Sequence, residues 1–212
     1  MKTHGYFGGT FDPIHNGHLS VATQLVESLG LDMLWFLPAG DPWQRQPTAN
    51  KEDRLNMVKL ALNTYPLLNV DEREVHRHGP TYTIDSVKEI RHEHGLEAPL
   101  WFIIGADSFL NLTTWRDWQH LLDYVHIAIA CRPNYDLKKE QLPPGLRSIL
   151  DSKLEDDPKL ISTPSGKVSI ISITESPISA TQVRECIRQH EDIRSLVPLS
   201  VNHYIHQHHL YQ

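Results

Sequence analysis

Short apolar runs alternate along the chain with longer stretches in which apolar residues recur at helical spacing. Runs of this kind predict buried strands, and the spacing between them predicts helices. Six strands are predicted, at residues 5–9, 32–40, 67–75, 99–106, 126–132 and 167–173. The alternation predicts an α/β fold: a doubly wound, Rossmann-like, mostly parallel sheet with helices on both faces.

The length of the chain, 212 residues, predicts a single domain over residues 1–212. Residues 134–166 are rich in proline and charge, so we expect a mobile, partly helical surface excursion there. In a sheet of this type, ligands bind beyond the carboxyl ends of the strands. We therefore expect loops 7–18, 37–46 and 103–115 to crowd one edge of the sheet and form the binding site.

Charge and cysteine usage exclude some classes of partner. The formal net charge is −6, which gives no basic surface for a nucleic acid. Cys131 and Cys186 lack the spacing of a disulfide framework or redox motif, which favours a cytoplasmic protein. No apolar run approaches the roughly 18 residues that span a membrane, so no membrane partner is expected. The sequence leaves open whether the chain forms a homo-oligomer.

The most distinctive segment is FGGTFDPIHNGHL at residues 7–19, here called the histidine loop. Glycines between a strand and a helix suit a phosphate group, because backbone N–H groups can approach it closely. The spacing is neither GxGxxG nor a P-loop. His15 and His18 are three residues apart and could donate to phosphates near Gly8, Gly9 and Thr10. A metal site and a helix-capping role are the alternatives, and the spacing favours phosphate over both.

A second candidate phosphate element is SPISATQVRECIRQ at residues 176–189. Ser179 and Gln182 form a capping-box pattern, which predicts a helix beginning at about residue 180. Arg184 would then lie in the early turns, where the helix dipole disfavours a cation unless an anion is present. A bound polyphosphate would supply that anion.

The end of the sequence contains a histidine cluster that could suggest a metal site. Its members are His203, His206, His208 and His209. An ordinary terminal helix is the stronger interpretation, because Val201, Tyr204 and Ile205 share one face and no cysteine or carboxylate completes a ligand set. We therefore predict no dedicated metal site.

The histidine loop resembles the first motif of the nucleotidylyltransferase superfamily, GGTFDPxHxGH, and ISATQVR resembles its second, IS[ST]xxR. Ala180 stands where serine is common, while Ser179, Thr181 and Arg184 remain. The resemblance implies catalytic roles for His15, His18 and Arg184. It implies ATP binding by Gly8, Gly9, Thr10, Phe11, His15, His18, Gly105, Asp107, Ile178, Ser179, Thr181 and Arg184.

Three further segments, GPTYTIDSVKEIR, IIGADSFLNLTTW and LPAGDPWQRQ, resemble the bacterial nicotinate mononucleotide adenylyltransferases. The resemblance implies nicotinate carboxylate recognition around Tyr82 and Thr83, and stacking of the pyridine ring on Trp115. Thr83 as a helix cap is compatible with that role. It also implies phosphate contacts from Arg132 and from the segment containing Gln44 and Arg45. Gln44 replaces a common histidine there.

The resemblance implies adenylyl transfer from ATP to nicotinate mononucleotide, giving deamido-NAD (nicotinate adenine dinucleotide) and pyrophosphate in NAD biosynthesis, with Mg²⁺ accompanying ATP. A phosphate nucleophile needs no general base, and no Ser-His-Asp or Cys-His arrangement is predicted. The alternative acceptors are nicotinamide mononucleotide, alone or with dual specificity, pantetheine phosphate and FMN. The alternative of another class is a catalytically dead nucleotide-binding regulator.

Overall fold

The structure is a computed structural model that describes residues 2–42, 46–133, 138–174 and 176–212. Within these residues the strands are β1 His4–Gly9, β2 Met33–Pro38, β3 Leu68–Val70, β4 Leu100–Gly105, β5 His126–Cys131 and β6 Val168–Ser172. They form one six-stranded sheet in the order β3-β2-β1-β4-β5-β6. β1 pairs with β4, β4 with β5, and β5 with β6, and all three pairings are parallel. This strand order confirms the predicted doubly wound, Rossmann-like fold.

Helices follow the strands in the pattern that the sequence predicts. They are α1 Asn16–Leu29, α2 Lys51–Leu62, α3 Arg73–His76, α4 Thr83–His94, α5 Ala106–Leu110, α6 Pro144–Lys153, α7 Ala180–Arg188 and α8 Leu199–Gln207. Short 3₁₀ turns occur at Leu112–Thr114, Trp118–Asp123, Lys139–Gln141 and Pro158–Leu160. In the part of the chain that the structure describes, no helix combines the length and apolar character that crossing a bilayer requires.

The chain divides into two compact units. The first comprises Met1–Phe7, Gln24–Leu34 and Tyr82–Thr174, and the second comprises Gly8–Thr23, Trp35–Thr81 and Glu175–Gln212. That residues 1–212 behave as a single domain stays a prediction.

The core of the first unit is built on β4 and β5. Ile103 pairs with Ala128, and both are completely buried, as expected for parallel strands that are apolar on both faces. The buried Arg91 of α4 donates to the backbone carbonyls of Tyr124 and Pro164, among others. These bonds satisfy the guanidinium group and tie α4 to the loops around it.

In the second unit, α2 contributes an unusual buried cation. Arg54 is 1% exposed and donates through Nη1 to the carbonyl of Thr10 at 2.7 Å and through Nη2 to the carbonyl of Gly40 at 3.0 Å. Gly40 accepts no side chain, since a Cβ there would lie 1.9 Å from the backbone oxygen of Glu74. Arg54 therefore joins two loops that each follow a strand.

One strand prediction is wrong in its extent. The predicted strand 67–75 ends at Val70, and Arg73–His76 is a short helix. The Asp71 carboxylate accepts hydrogen bonds from Arg73 N at 3.0 Å and from Arg73 Nε at 2.7 Å, which turns the chain at that point. The buried Val75, which suggested a strand, is buried from a helix instead.

The excursion predicted at 134–166 is partly helical, as expected, in its described residues 138–166. Leu146 and Leu150 of α6 are buried, so this helix has an apolar face packed into the first unit. That the segment is mobile stays a prediction.

Candidate active site

Phe11 shapes the first half of the histidine loop. Its backbone has a positive φ of 49°, which is unusual for a residue with a side chain. Its ring lies over Gly9, where a Cβ would be 2.7 Å from Phe11 Cζ. The ring also contacts Phe36, with a centroid distance of 5.2 Å, and lies nearly perpendicular to the His18 ring at 5.1 Å. The glycine is therefore needed where the phenylalanine ring closes over the backbone.

The two histidines of the loop lie against each other. Their rings stack at a centroid distance of 3.7 Å, and His15 is only 6% exposed. Burial lowers the pKa of His15 to about 4. Burial, together with the neighbouring His15, lowers the pKa of His18 well below its ordinary value. Both imidazoles are therefore neutral at pH 7 and can act as hydrogen-bond donors without carrying a charge.

A backbone contact selects the tautomer of His18. The N–H of His15 donates to His18 Nδ1 at 3.2 Å, so the proton of the neutral ring is carried by Nε2. His15 Nδ1 is buried and has no hydrogen-bond partner among the described residues. A buried polar nitrogen without a partner is costly, so His15 Nδ1 is a candidate for a contact with a ligand.

Gly17 brings the histidine loop close to the segment that precedes α7. A Cβ on Gly17 would lie 2.9 Å from His15 Nδ1 and 3.3 Å from the carbonyl oxygen of Ile178. The absence of a side chain therefore allows the imidazole and the Ile178 backbone to share this space. The two predicted phosphate elements, far apart in sequence, are neighbours in the second unit.

The predicted start of α7 is confirmed. Ser179 is the N-cap, and its hydroxyl accepts a hydrogen bond from Gln182 N at 3.1 Å. Arg184 donates through Nη1 to the carbonyl oxygen of Asp12 at 2.6 Å and through Nη2 to Thr181 Oγ1 at 3.4 Å. Its Nε is buried without a partner among the described residues. Arg184 is thus anchored to the histidine loop and retains donor capacity for an anion.

Sequence reasoning missed three residues that hold the histidine loop: Asp12, Arg54, which donates to the Thr10 carbonyl, and Tyr211, whose hydroxyl donates to the Asp12 carboxylate. Asp12 lies inside the first motif, so its position was visible although its role was not. Arg54 is a charged residue in the apolar pattern of α2, and that mismatch was a usable signal of a buried, hydrogen-bonded cation. Tyr211 carries no periodic or motif signal.

The residues predicted to bind the acceptor are partly brought together in the first unit. Tyr82 is the N-cap of α4 and makes no side-chain capping bond. The expectation that Thr83 is the cap is therefore wrong by one position, because Thr83 already has helical backbone. The Arg116 guanidinium lies 5.0 Å from the centre of the Tyr82 ring, which places the residue after Trp115 beside the start of α4.

Trp115 follows a 3₁₀ turn and is half-buried. Its indole Nε1 is buried without a hydrogen-bond partner among the described residues. Indole N–H groups usually find an acceptor when they are buried. The ring therefore has both a partly exposed surface and an unsatisfied donor, as expected of a ligand platform.

The remaining predicted residues lie where strands end. Gly105 is the last residue of β4 and the N-cap of α5, with open space around the position of a Cβ. Asp107 is exposed in the first turn of α5, and Arg132 is exposed directly after β5. Gln44 and Arg45 lie outside the described residues.

Comparison with known proteins agrees with these motifs. A family model described as cytidylyltransferase-like matches residues 6–186. A Pseudomonas putida protein named probable nicotinate-nucleotide adenylyltransferase is 40% identical over 209 residues, covering 98% of this chain and 94% of that protein. One of the same name from Serratia proteamaculans is 42% identical over 211 residues, covering 99% and 95%. The chain belongs to the nicotinate-nucleotide adenylyltransferase family.

The fold of this chain is also similar to that of solved structures. A Plasmodium falciparum nicotinic acid mononucleotide adenylyltransferase complexed with NaAD superposes with a TM-score of 0.71 at 20% identity. The match covers 100% of this chain and 98% of that one. At this identity the likeness concerns the fold alone.

No set of three or more histidine, cysteine, aspartate or glutamate side chains in the described ranges is arranged to hold a metal ion. In the histidine cluster near the end of the sequence, the ring of His208 stacks on Tyr204 with a centroid distance of 4.1 Å. Val201 and Ile205 of α8 are buried, as the terminal-helix interpretation predicts.

Proposed function

We propose that the protein transfers the adenylyl group of ATP to nicotinate mononucleotide, forming nicotinate adenine dinucleotide and releasing pyrophosphate. One observation carries this proposal. The histidine loop and the start of α7 meet within the second unit, where two neutral imidazoles and a partly unsatisfied arginine surround a glycine-rich backbone. Such an arrangement suits a polyphosphate that must be held while one of its bonds breaks.

The reaction needs alignment and charge stabilisation more than acid–base chemistry. A phosphate oxygen of the mononucleotide attacks the α-phosphorus of ATP, and the bond from that phosphorus to the bridging oxygen breaks. The electron pair leaves with pyrophosphate, so negative charge grows on the departing group. His18 Nε2–H and Arg184 are proposed to stabilise that charge, because both lie at the proposed phosphate site with donors suited to it. Thr10 and the backbone of Gly8 and Gly9 are proposed to contact the phosphates before the reaction.

The proposed role of the two histidines does not require them to be charged before ATP binds. An imidazole whose pKa is lowered by burial is neutral at pH 7 and still carries one N–H that can donate a hydrogen bond to phosphate. Binding of an anion would raise the pKa of both rings and strengthen these bonds as charge develops. The site is therefore preorganised for the charge that appears on the leaving group.

Mg²⁺ fits this site as a companion of ATP rather than as a resident ion. The described residues offer no carboxylate and histidine cage, and Mg²⁺ commonly binds substrate phosphates while keeping several waters. When bound, the ion would neutralise part of the polyphosphate charge.

Acceptor recognition is proposed to depend on the start of α4. Tyr82 leaves the N-terminus of a twelve-residue helix without a side-chain cap, and such N–H groups attract a carboxylate. Arg116 adds a cation beside it, and Trp115 offers an aromatic surface for the pyridine ring. These features favour the acid over the amide, and they offer nothing specific to a pantetheine arm. Contacts from Arg132, Gln44 and Arg45 to the mononucleotide phosphate are part of the same proposal.

The proposal is tested by identifying the product. The protein is incubated with ATP, Mg²⁺ and one acceptor at a time: nicotinate mononucleotide, pantetheine phosphate or FMN. We expect nicotinate adenine dinucleotide and pyrophosphate in equal amounts from the first mixture and no dinucleotide from the others. A product only with pantetheine phosphate or FMN would assign a sibling activity. ATP binding without product in any of these mixtures, and without product when nicotinamide mononucleotide is the acceptor, would favour the regulator.

A further inference from the structure

Asp12 is the point at which four distant parts of the second unit meet. Asp12 is 7% exposed, and its carboxylate accepts hydrogen bonds from Thr48 N at 2.7 Å and Ala49 N at 3.0 Å. A third hydrogen bond comes from the Tyr211 hydroxyl at 2.8 Å. The backbone carbonyl of Asp12 accepts the hydrogen bond from Arg184. The same residue therefore contacts the proposed catalytic arginine and the penultimate residue of the chain.

The geometry between Arg184 and Asp12 is informative. Arg184 Nη1 is 2.6 Å from the carbonyl oxygen but 3.9 Å from the carboxylate oxygen Oδ2. The closer contact is thus to the neutral backbone group, although a charged carboxylate lies beside it. An arginine and a carboxylate ordinarily prefer a short, bidentate pair. Other hydrogen-bond donors must therefore hold the Asp12 carboxylate away from a pair with Arg184.

These donors are the Tyr211 hydroxyl and the backbone N–H groups of Thr48 and Ala49. A carboxylate has about four acceptor positions, and three donors already occupy this one. Without the phenol hydroxyl, Oδ1 would lose a donor, and the carboxylate could rotate to pair with Arg184. Such a pair would draw the guanidinium toward Asp12 and reduce the donors that it presents to a phosphate.

Tyr211 is itself held firmly. It is 7% exposed, and its backbone has a positive φ of 66°, a conformation that residues with side chains rarely adopt. Before it, Leu210 N donates to the carbonyl of Ile205 at 3.0 Å, closing the turn after α8. Burial, followed by the Asp12 charge, raises the pKa of Tyr211, so the hydroxyl stays protonated and donates.

We infer that Tyr211 is a positioning residue for adenylyl transfer: its hydroxyl occupies the Asp12 carboxylate and so keeps Arg184 oriented toward the phosphates of ATP. The inference rests on the proposed function of Arg184. It assigns a role in the reaction to a residue 199 positions away in sequence from the loop that it touches.

The test compares two tyrosine-to-phenylalanine variants of the intact chain. Tyr211→Phe removes the hydroxyl from Asp12, whereas Tyr204→Phe removes a hydroxyl that donates to the Asp53 carboxylate at the same distance, 2.8 Å. Each variant loses one hydrogen bond to a carboxylate in the second unit, and Tyr204→Phe also loses the hydrogen bond that Asn56 Nδ2 donates to the hydroxyl at 3.0 Å. We expect Tyr211→Phe alone to lower kcat/KM for ATP by about tenfold, with the KM for nicotinate mononucleotide within about twofold of the wild type.

A double-mutant cycle separates positioning from a structural role. If Tyr211 acts through Arg184, Tyr211→Phe should have almost no further effect on kcat/KM for ATP in an Arg184→Ala chain. Binding of a non-hydrolysable ATP analogue, measured calorimetrically, should show the same dependence. Equal losses in both backgrounds, equal losses in the two phenylalanine variants, or a Tyr211→Phe chain that does not fold would overturn the inference.

Failure of the proposed function is distinguishable from failure of the inference. If wild-type protein forms no dinucleotide, or if Arg184→Ala leaves turnover unchanged, the proposed role of the arginine fails and the inference falls with it. If Arg184→Ala is strongly impaired while Tyr211→Phe is not, the proposed function stands and only the role of Tyr211 is rejected.

Discussion

His15, in the histidine loop, is 6% exposed and stacks on His18, whereas Arg116, beside the predicted acceptor residues, leaves 57% of its side chain exposed. The histidines are oriented by stacking, by a backbone hydrogen bond and by close glycines. Arg116 is oriented by the Tyr82 ring and by Asp117, which is 4.0 Å away. The protein therefore fixes its proposed phosphate groups in advance and leaves its proposed acceptor groups more accessible.

This difference matches the chemistry asked of each region. Stabilising charge on a leaving pyrophosphate requires donors that are already in place, because reorganisation during the reaction would raise the barrier. Selecting an acceptor requires a surface that a second substrate can enter. Substitutions in the first region should act mainly on kcat, and substitutions in the second should act mainly on the KM of the acceptor.

The largest expected effect comes from His18→Ala. Removing one preorganised donor to developing charge should lower kcat by about a hundred- to a thousandfold, with the KM for nicotinate mononucleotide nearly unchanged. Steady-state pyrophosphate release measures both constants. His203→Ala, which removes an exposed histidine of α8, is the matched control and should retain wild-type turnover. Unchanged turnover in His18→Ala would show that this imidazole has no role in the mechanism. It would also contradict the proposed difference between the phosphate region and the acceptor region.

Trp115→Ala is expected to have a smaller effect, and on the KM of the acceptor instead of on kcat. Losing the aromatic surface should raise the KM for nicotinate mononucleotide about tenfold and change the KM for ATP less than twofold. Trp118→Ala is the control, because this nearby tryptophan packs against Gly145 and should affect stability rather than acceptor binding. Trp115→Phe should restore part of the loss. If both KM values rise equally in Trp115→Ala, the tryptophan has a packing role only.

The smallest effect concerns stability against acid. The pKa of His15 is about 4 when folded and near 6.5 when unfolded, so the unfolded chain takes up the proton first as pH falls. The His15 contribution therefore weakens the fold between pH 6.5 and pH 4, by at most about 1.4 kcal/mol per pH unit.

Urea unfolding of His15→Asn between pH 6 and 4.5 should show a free energy of unfolding that depends less steeply on pH than in the wild type. His18 and His126, whose pKa values burial also lowers, should account for a remaining dependence of stability on pH in the variant. Identical slopes in the variant and the wild type would contradict the buried, neutral imidazole.

The sequence predicted those parts of the site that depend on residues close together along the chain. The position of His18 in the first turn of α1 and of Ser179 as the cap of α7 followed from glycine, histidine and serine spacing along a few residues. The end of β3 did not, because the Asp71 contact with Arg73 outweighed an apolar pattern that suited a strand. The bond from Tyr211 to Asp12 joins residues 199 apart, and no periodicity can signal a contact of that kind.

The most direct test of the account is the acceptor preference of the wild-type protein. Pyrophosphate release with ATP and Mg²⁺ is compared for nicotinate mononucleotide and nicotinamide mononucleotide at equal concentrations. Carboxylate recognition at the start of α4 predicts a preference for the acid of roughly a hundredfold or more, which corresponds to about 3 kcal/mol. Similar rates with the two acceptors would contradict that recognition and indicate dual specificity.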